Sequence, residues 1–211
     1  MSYPKYTIRE RVADGCIHIV GVSFGFTGFL TLLILSTIYL PVTSTTSLAI
    51  YGLAMLAMFS FSAAYHLVPM PDWKGLLRRF DQAAIFVKIA GTYTPFALIK
   101  MGGLWGYGLL AIVWTVALVG AFAKIFVKDR WDGISIYLYL GLGWVGVLFL
   151  YPLFLTLPLT SSILLVVGGG LYSVGVIFHL WEGLLYQNAV WHAFVLAGTS
   201  CHYAAIVSAV F

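Results

Sequence analysis

Charged side chains are scarce in this chain: eleven basic and seven acidic residues make up 9% of 211, against about 25% in an ordinary soluble domain. That shortage excludes a water-soluble globular protein. Cysteine is nearly absent too. Cys16 and Cys201 both sit in apolar surroundings, which excludes a disulfide framework and leaves them as small buried residues. No internal repeat, low-complexity segment or composition shift marks a domain boundary, so residues 1–211 read as a single domain. No basic groove interleaved with aromatics is present, which argues against nucleic acid as a partner.

What is present is hydrophobic sequence, 62% of the chain. A membrane-crossing helix takes about 20 apolar residues, so the composition suffices for seven spans joined by short loops. Between Asp14 and Asp72 lie 57 residues without Asp, Glu, Lys or Arg, broken by the polar stretch from Pro41 to Ser47. Two spans follow, about 16–40 and 48–68. A third is expected over about 80–99, interrupted by Lys88, and a fourth over about 104–123. The 49 uncharged residues from Gly133 to Trp181 hold two more, about 134–155 and 161–181, and the seventh covers about 189–210. The first apolar stretch is too long for a cleavable signal peptide and has no small-residue cleavage pattern. The fold class is therefore an all-α integral membrane protein, a seven-transmembrane-helix bundle.

Orientation follows from Lys and Arg. Lys5, Arg9 and Arg11 precede the first span, Lys74, Arg78 and Arg79 separate the second and third, and Lys124, Lys128 and Arg130 separate the fourth and fifth. All nine fall on one side. The positive-inside rule makes that side cytoplasmic, with the N-terminus in and the C-terminus outside. The net charge of +4 is then a juxtamembrane feature that favours anionic lipid headgroups.

Ionisable groups within spans are costly and face the bundle interior, which makes each a functional candidate. Asp14 and His18 are four apart at the cytoplasmic start of the first span, Ser62 and His66 four apart at the cytoplasmic end of the second. Asp81 opens the third, and Asn188 and His192, again four apart, open the seventh. A spacing of four places both members of a pair on one helical face. One such residue alone reads equally well as an interfacial side chain; three pairs at one depth point to a built site. Neutral imidazole is the commonest zinc ligand, and a catalytic zinc takes three protein ligands and one open position. His66 and His192 are the leading ligands, Asp81 a base for water, and Ser62 a holder of a ligand or substrate oxygen. His202 lies ten residues past His192, about 15 Å deeper, and is read as a structural hydrogen-bonding residue. Lys88, seven past Asp81, is about 10 Å deeper than it. His179 and Glu182 read as an interfacial pair.

These residues also carry a resemblance. Glu10-x-x-x-Asp14-x-x-x-His18, Ser62-x-x-x-His66, Phe80-Asp81-x-x-x-Ile85, the run Ala90 to Phe96, and Asn188-Ala-Val-Trp-His192 through His202 resemble, in order, the bacterial hemolysin III-type membrane proteins of the progestin and adipoQ receptor family. The resemblance implies a seven-helix fold, a cytoplasmic N-terminus, an intramembrane zinc site and residence in the bacterial inner membrane. Two positions depart from the family's pattern: Asp14 stands for an asparagine, and Asn188 for the first histidine of a His-x-x-x-His motif. An asparagine amide is a poorer zinc donor than imidazole, so with Asn188 as third metal residue the zinc is expected to be weakly held; Asp14 or a second water completes the coordination, or the site is a metal-free polar network, and Asp14, His18 and His202 are assigned to that surrounding network.

The expected function is metal-dependent hydrolysis of an amide or ester of a membrane lipid, in the manner of the family's ceramidase-like members, with Asp81 and Ser62 catalytic and membrane lipids as partners. The alternative is a non-enzymatic sensor or regulator of membrane energetics or lipid homeostasis. Pore formation ranks lowest, because no rings of repeated polar residues line a channel. A retinal protein would carry its lysine on the seventh helix, and this one has none there.

Overall fold

A computed structural model describes residues 7–127, 132–146 and 155–211. Seven α-helices are described, with no strand among the described residues: α1 Ile8–Tyr39, α2 Val42–Leu67, α3 Pro71–Pro95, α4 Gly103–Phe126, α5 Asp132–Trp144, α6 Leu159–Leu180 and α7 Gln187–Val210. Six are long and apolar enough to cross a membrane, α3 being prolonged by a π-helical turn, Phe96–Met101, after Pro95. The exception is α5, with 13 residues. The expected fifth span, 134–155, runs into residues 147–154, which lie outside the described residues.

The helices begin earlier than hydropathy alone suggests, for local reasons. Helix α1 starts at Ile8 rather than near 16, because Thr7 and Glu10 form a reciprocal capping box that satisfies the first amides. Helix α2 takes in the polar stretch after Pro41. There the Thr46 hydroxyl donates to the Val42 carbonyl at 2.8 Å, that of Ser47 to Ser44 at 2.9 Å, and that of Thr45 to Ser36 of α1 at 3.0 Å. Hydroxyls satisfied this way cost a spanning helix little. The largest difference is α3, expected from 80 and observed from Pro71. Pro71 occupies the first turn, where its missing amide N–H is no loss, and Asp72 complements the helix dipole there. Asp81 is consequently ten residues into a helix, not at its start.

Small residues set the close packing, as they do where lipid tails remove any hydrophobic drive between helices. A Cβ on Gly21 would fall 2.9 Å from the Phe59 ring, and one on Gly25 3.2 Å from it, so the absence of side chains at these positions lets α1 and α2 pack closely. Leu48, Tyr51, Met55 and Phe59 of α2 continue that seam against Ala205 and Ile206 of α7. Phe86 packs with Leu109, Val113 and Ala117 of α4 in a second core. Large apolar side chains such as Ile19, Ile34, Leu53, Val119 and Ile177 are exposed on the outside, as suits a lipid-facing surface. Cys16, expected to be buried, faces outward among them.

Candidate metal centre

The start of α7 is tied to the start of α1. The backbone amide of Tyr186 donates to the Glu10 carboxylate at 3.1 Å, while Tyr186 itself adopts φ 59°, a left-handed conformation that costs a non-glycine residue about 1–3 kcal/mol. This turn brings the second turn of α7, with His192, level with Asp14 and His18. The tight α1–α2 seam does the same for His66, whose backbone carbonyl and that of Tyr65 accept from the Lys74 ammonium of α3.

Asp14, His18, His66 and His192 therefore converge, each offering a ligand atom and all of these atoms lying within 4.8 Å of one another. Asp14, His18 and His192 are buried, and His66 is half-buried. The three imidazoles touch: ring centroids are 5.1 Å apart for His18 and His66, 4.4 Å for His18 and His192, and 4.5 Å for His66 and His192. One carboxylate sits among them. Asp14 Oδ1 is 2.6 Å from His192 Nδ1, and Oδ2 is 3.4 Å from His66 Nδ1 and 3.5 Å from His18 Nε2. A buried carboxylate requires donors around it, and the histidines supply them.

Two features suit this donor set to a metal. His18 Nε2 is buried without a hydrogen-bond partner, since 3.5 Å to Asp14 is too long for a good bond, and such an orphan is costly unless something fills the space before it. The ligand-capable atoms also all lie within 4.8 Å of one another, close enough for several of them to reach one ion at the roughly 2.0–2.1 Å of a zinc–nitrogen bond. The 2.6 Å contact of Asp14 with His192 has another part. It is the hydrogen bond of a carboxylate that fixes the tautomer of His192 and leaves its other ring nitrogen for a ligand.

Among the sequence-derived candidates, His66 and His192 are brought together. Asp14, expected either to complete the coordination or to lie in the surrounding network, and His18, expected only in that network, are in the cluster itself, and the third imidazole comes from α1. Asn188 lies half-buried one turn before His192; three imidazoles meet without it. Ser62 and Asp81 hydrogen-bond side chain to side chain, and Asp81 is near enough to His18 and Asp14 to feel their charge. Phe61 stacks on Phe80 at 5.2 Å beside them, locking α2 to α3 at that level. His202 is elsewhere, with Nε2 3.3 Å from the Leu165 carbonyl. The tie between Glu10 and Tyr186 and the hold of Lys74 on α2 have no signal in residue spacing, because both join segments through backbone groups.

The family described as haemolysin-III related matches residues 6–203 of this chain. The chain belongs to the haemolysin-III family. It is 37% identical over 195 residues to the hemolysin-3 homolog of Bacillus subtilis (strain 168), covering 92% of each chain. It is 36% identical over 193 residues to hemolysin-3 of Bacillus cereus, covering 92% of this chain and 88% of that one. A more distant relative is the human monocyte to macrophage differentiation factor, 26% identical over 166 residues, covering 74% and 67%. No solved structure matches. This haemolysin-III family member is a membrane protein whose described helices place an Asp/His cluster able to hold a metal ion.

Proposed function

We propose that this protein is a metal-dependent hydrolase of a membrane-lipid amide or ester, its centre lying at the depth of the cytoplasmic leaflet of a bacterial plasma membrane. The observation that carries the reading is the convergence of three imidazoles and a carboxylate with a second carboxylate, Asp81, beside them. Zinc bound there would polarise a carbonyl and make a nucleophile of water near neutral pH. His18, His66 and His192 would hold the ion. Asp14 fixes the tautomer of His192 through the 2.6 Å contact. Asp81 takes the proton from the attacking water and returns it to the leaving nitrogen or oxygen, while the Ser62 hydroxyl keeps the Asp81 carboxylate oriented.

Asp81→Asn preserves shape and removes the base. Fatty-acid release from a panel of membrane lipids, by protein in nanodiscs, should fall about a hundredfold, the scale of general-base assistance, with zinc content by elemental analysis unchanged. Loss of the metal together with activity would make Asp81 structural and withdraw its catalytic role. The seven-span topology is read with it, N-terminus in and C-terminus out. A reporter active only in the cytoplasm, fused after Phe211, should be silent; strong activity would mean an even number of spans.

One observation favours the sensory alternative. Asp14 lies 2.6, 3.4 and 3.5 Å from a ring nitrogen of His192, His66 and His18, so the cluster is also coherent as a polar network whose rearrangement reports membrane state. No hydrolysis of any lipid by zinc-loaded protein, with Asp14→Asn altering the cellular phenotype, would favour it.

A further inference from the structure

On the outer side of the metal centre, α1 and α2 leave a groove of 280 Å³ lined by His18, Ile19, Val22, Ser23, Ala63 and Leu67. It is almost wholly apolar, and it opens on the face where Ile19 and Val20 are exposed to lipid. Its lining includes His18, whose Nε2 is the unpartnered nitrogen of the cluster. That volume is below the roughly 300–1,000 Å³ of sites that enclose a whole ligand. It suits a segment of one acyl chain whose remainder stays in the bilayer.

Towards the helix ends α1 carries Gly15, four residues before Ile19, where a Cβ would lie 3.6 Å from the Leu67 side chain that lines the groove. Arg11 is one turn earlier on the same stripe and seven residues before His18, hence on one face with it. Arg11 to Ser23 spans about 18 Å. Arg11 is exposed and close enough to Lys74 for repulsion, and Lys74 donates to backbone carbonyls. Among the described residues neither cation pairs with a carboxylate. Two unneutralised cations above an apolar trough are complementary to one molecule with an anionic head and an apolar tail.

We propose that the α1–α2 groove docks one anionic glycerophospholipid of the cytoplasmic leaflet, its phosphate at Arg11 and Lys74 and one acyl chain past Gly15 and Ala63, so that its ester carbonyl comes to the His18 edge of the metal centre. Docking itself stands apart from catalysis. The identity of the lipid as a substrate class rests on the hydrolase reading.

The test is lipid retention by native mass spectrometry of the full-length protein in detergent, with phosphatidylglycerol and phosphatidylcholine of identical chains as probes. Wild type should keep one phosphatidylglycerol at least tenfold better than phosphatidylcholine. Gly15→Leu sets a bulky side chain against Leu67 at the end of the groove, and should cut retention of both lipids about tenfold, with zinc content and melting temperature unchanged. Arg11→Gln should erase only the preference for phosphatidylglycerol. Should Gly15→Leu unfold the protein, Ala63→Leu, which fills the same trough from α2, takes its place. Equal retention of the two lipids by wild type, or unaltered retention in the trough-filling variants, overturns the docking site. A second copy of the chain or a co-purified acidic peptide displacing the lipid would also overturn it. Selective retention without fatty-acid release from phosphatidylglycerol would leave the docking site in place and defeat the hydrolase reading.

Discussion

The protein holds two polar clusters, and they differ in what lies at their centres. The cluster of Asp14, His18, His66 and His192 is built around an acceptor, with one carboxylate facing three rings. The deeper cluster is built around a donor. Lys88 of α3, 2% exposed, donates to the Tyr172 hydroxyl of α6; Tyr172 is 2.5 Å from Thr199 of α7, and Thr199 donates onward to the Val195 carbonyl at 2.8 Å. Every proton in that chain points one way and ends on backbone, with no carboxylate against Lys88 among the described residues. Gly168 and Gly198 press it shut, since a Cβ on Gly168 would fall 2.3 Å from the His202 ring and one on Gly198 3.0 Å from that of Tyr172. The upper cluster borders an open groove. An accessible acceptor-centred site suits a cation and chemistry; a closed, one-directional donor chain suits helix-to-helix bonding.

The sharpest way to break the comparison is to remove an imidazole from the upper cluster. His18→Ala should weaken zinc retention at least about a hundredfold, beyond the 10–100-fold typical of removing even a group that only supports a ligand, as read by elemental analysis after graded chelation. Asn188→His in that background should restore most of it, because position 188 lies one turn from His192 on the same face. If His18→Ala keeps its metal, His18 is not a ligand. Restoration by Asn188→His would mean that positions 18 and 188 can supply the same ligand.

That exchange also marks how far residue spacing carries. The all-helical membrane class, with six helices long and apolar enough to cross a membrane, was legible because apolar runs of about 20 residues have few other uses. The meeting of His66 and His192 was legible because i,i+4 spacing fixes which residues share a helical face. Which members of a pair point at one another was not. Asp14 and His18 were not read as the centre of the site because their reach depends on Gly21 and Gly25 letting α1 approach Phe59, and on the Tyr186 turn anchored by Glu10, and neither contact has a signature in hydropathy. The helical start at Pro71 was hidden by charge: the run from Lys74 to Arg79 looks like a loop, yet its proline and Asp72 are helix-starting signals.

A smaller effect is expected in the lower cluster from Tyr172→Phe. The change takes from Lys88 the hydroxyl it donates to and leaves a buried ammonium unpaired, at about 1–3 kcal/mol. Thermal stability in detergent should fall by several degrees while zinc content stays constant. A loss of zinc would show that the two clusters are one network and dissolve the comparison.

Smallest, and opposite in sign, is Lys88→Met. A buried charge is held at a desolvation cost that hydroxyl partners offset only in part, and replacing buried ionic groups by apolar ones of similar size is often neutral or stabilising. Methionine matches the stem of lysine and adapts to irregular gaps, while the hydroxyl of Tyr172 keeps its bond to Thr199. The variant should therefore melt at the wild-type temperature or about 2–4 °C above it, the shift that roughly 1 kcal/mol gives a chain of this length, with zinc and fatty-acid release unchanged. Tyr172→Phe and Lys88→Met together should recover most of what Tyr172→Phe alone loses, since no charge is left stranded. If Lys88→Met instead melts several degrees lower or abolishes activity, the ammonium answers to an anion at that depth, and the lower cluster is a second functional site rather than a tie between helices.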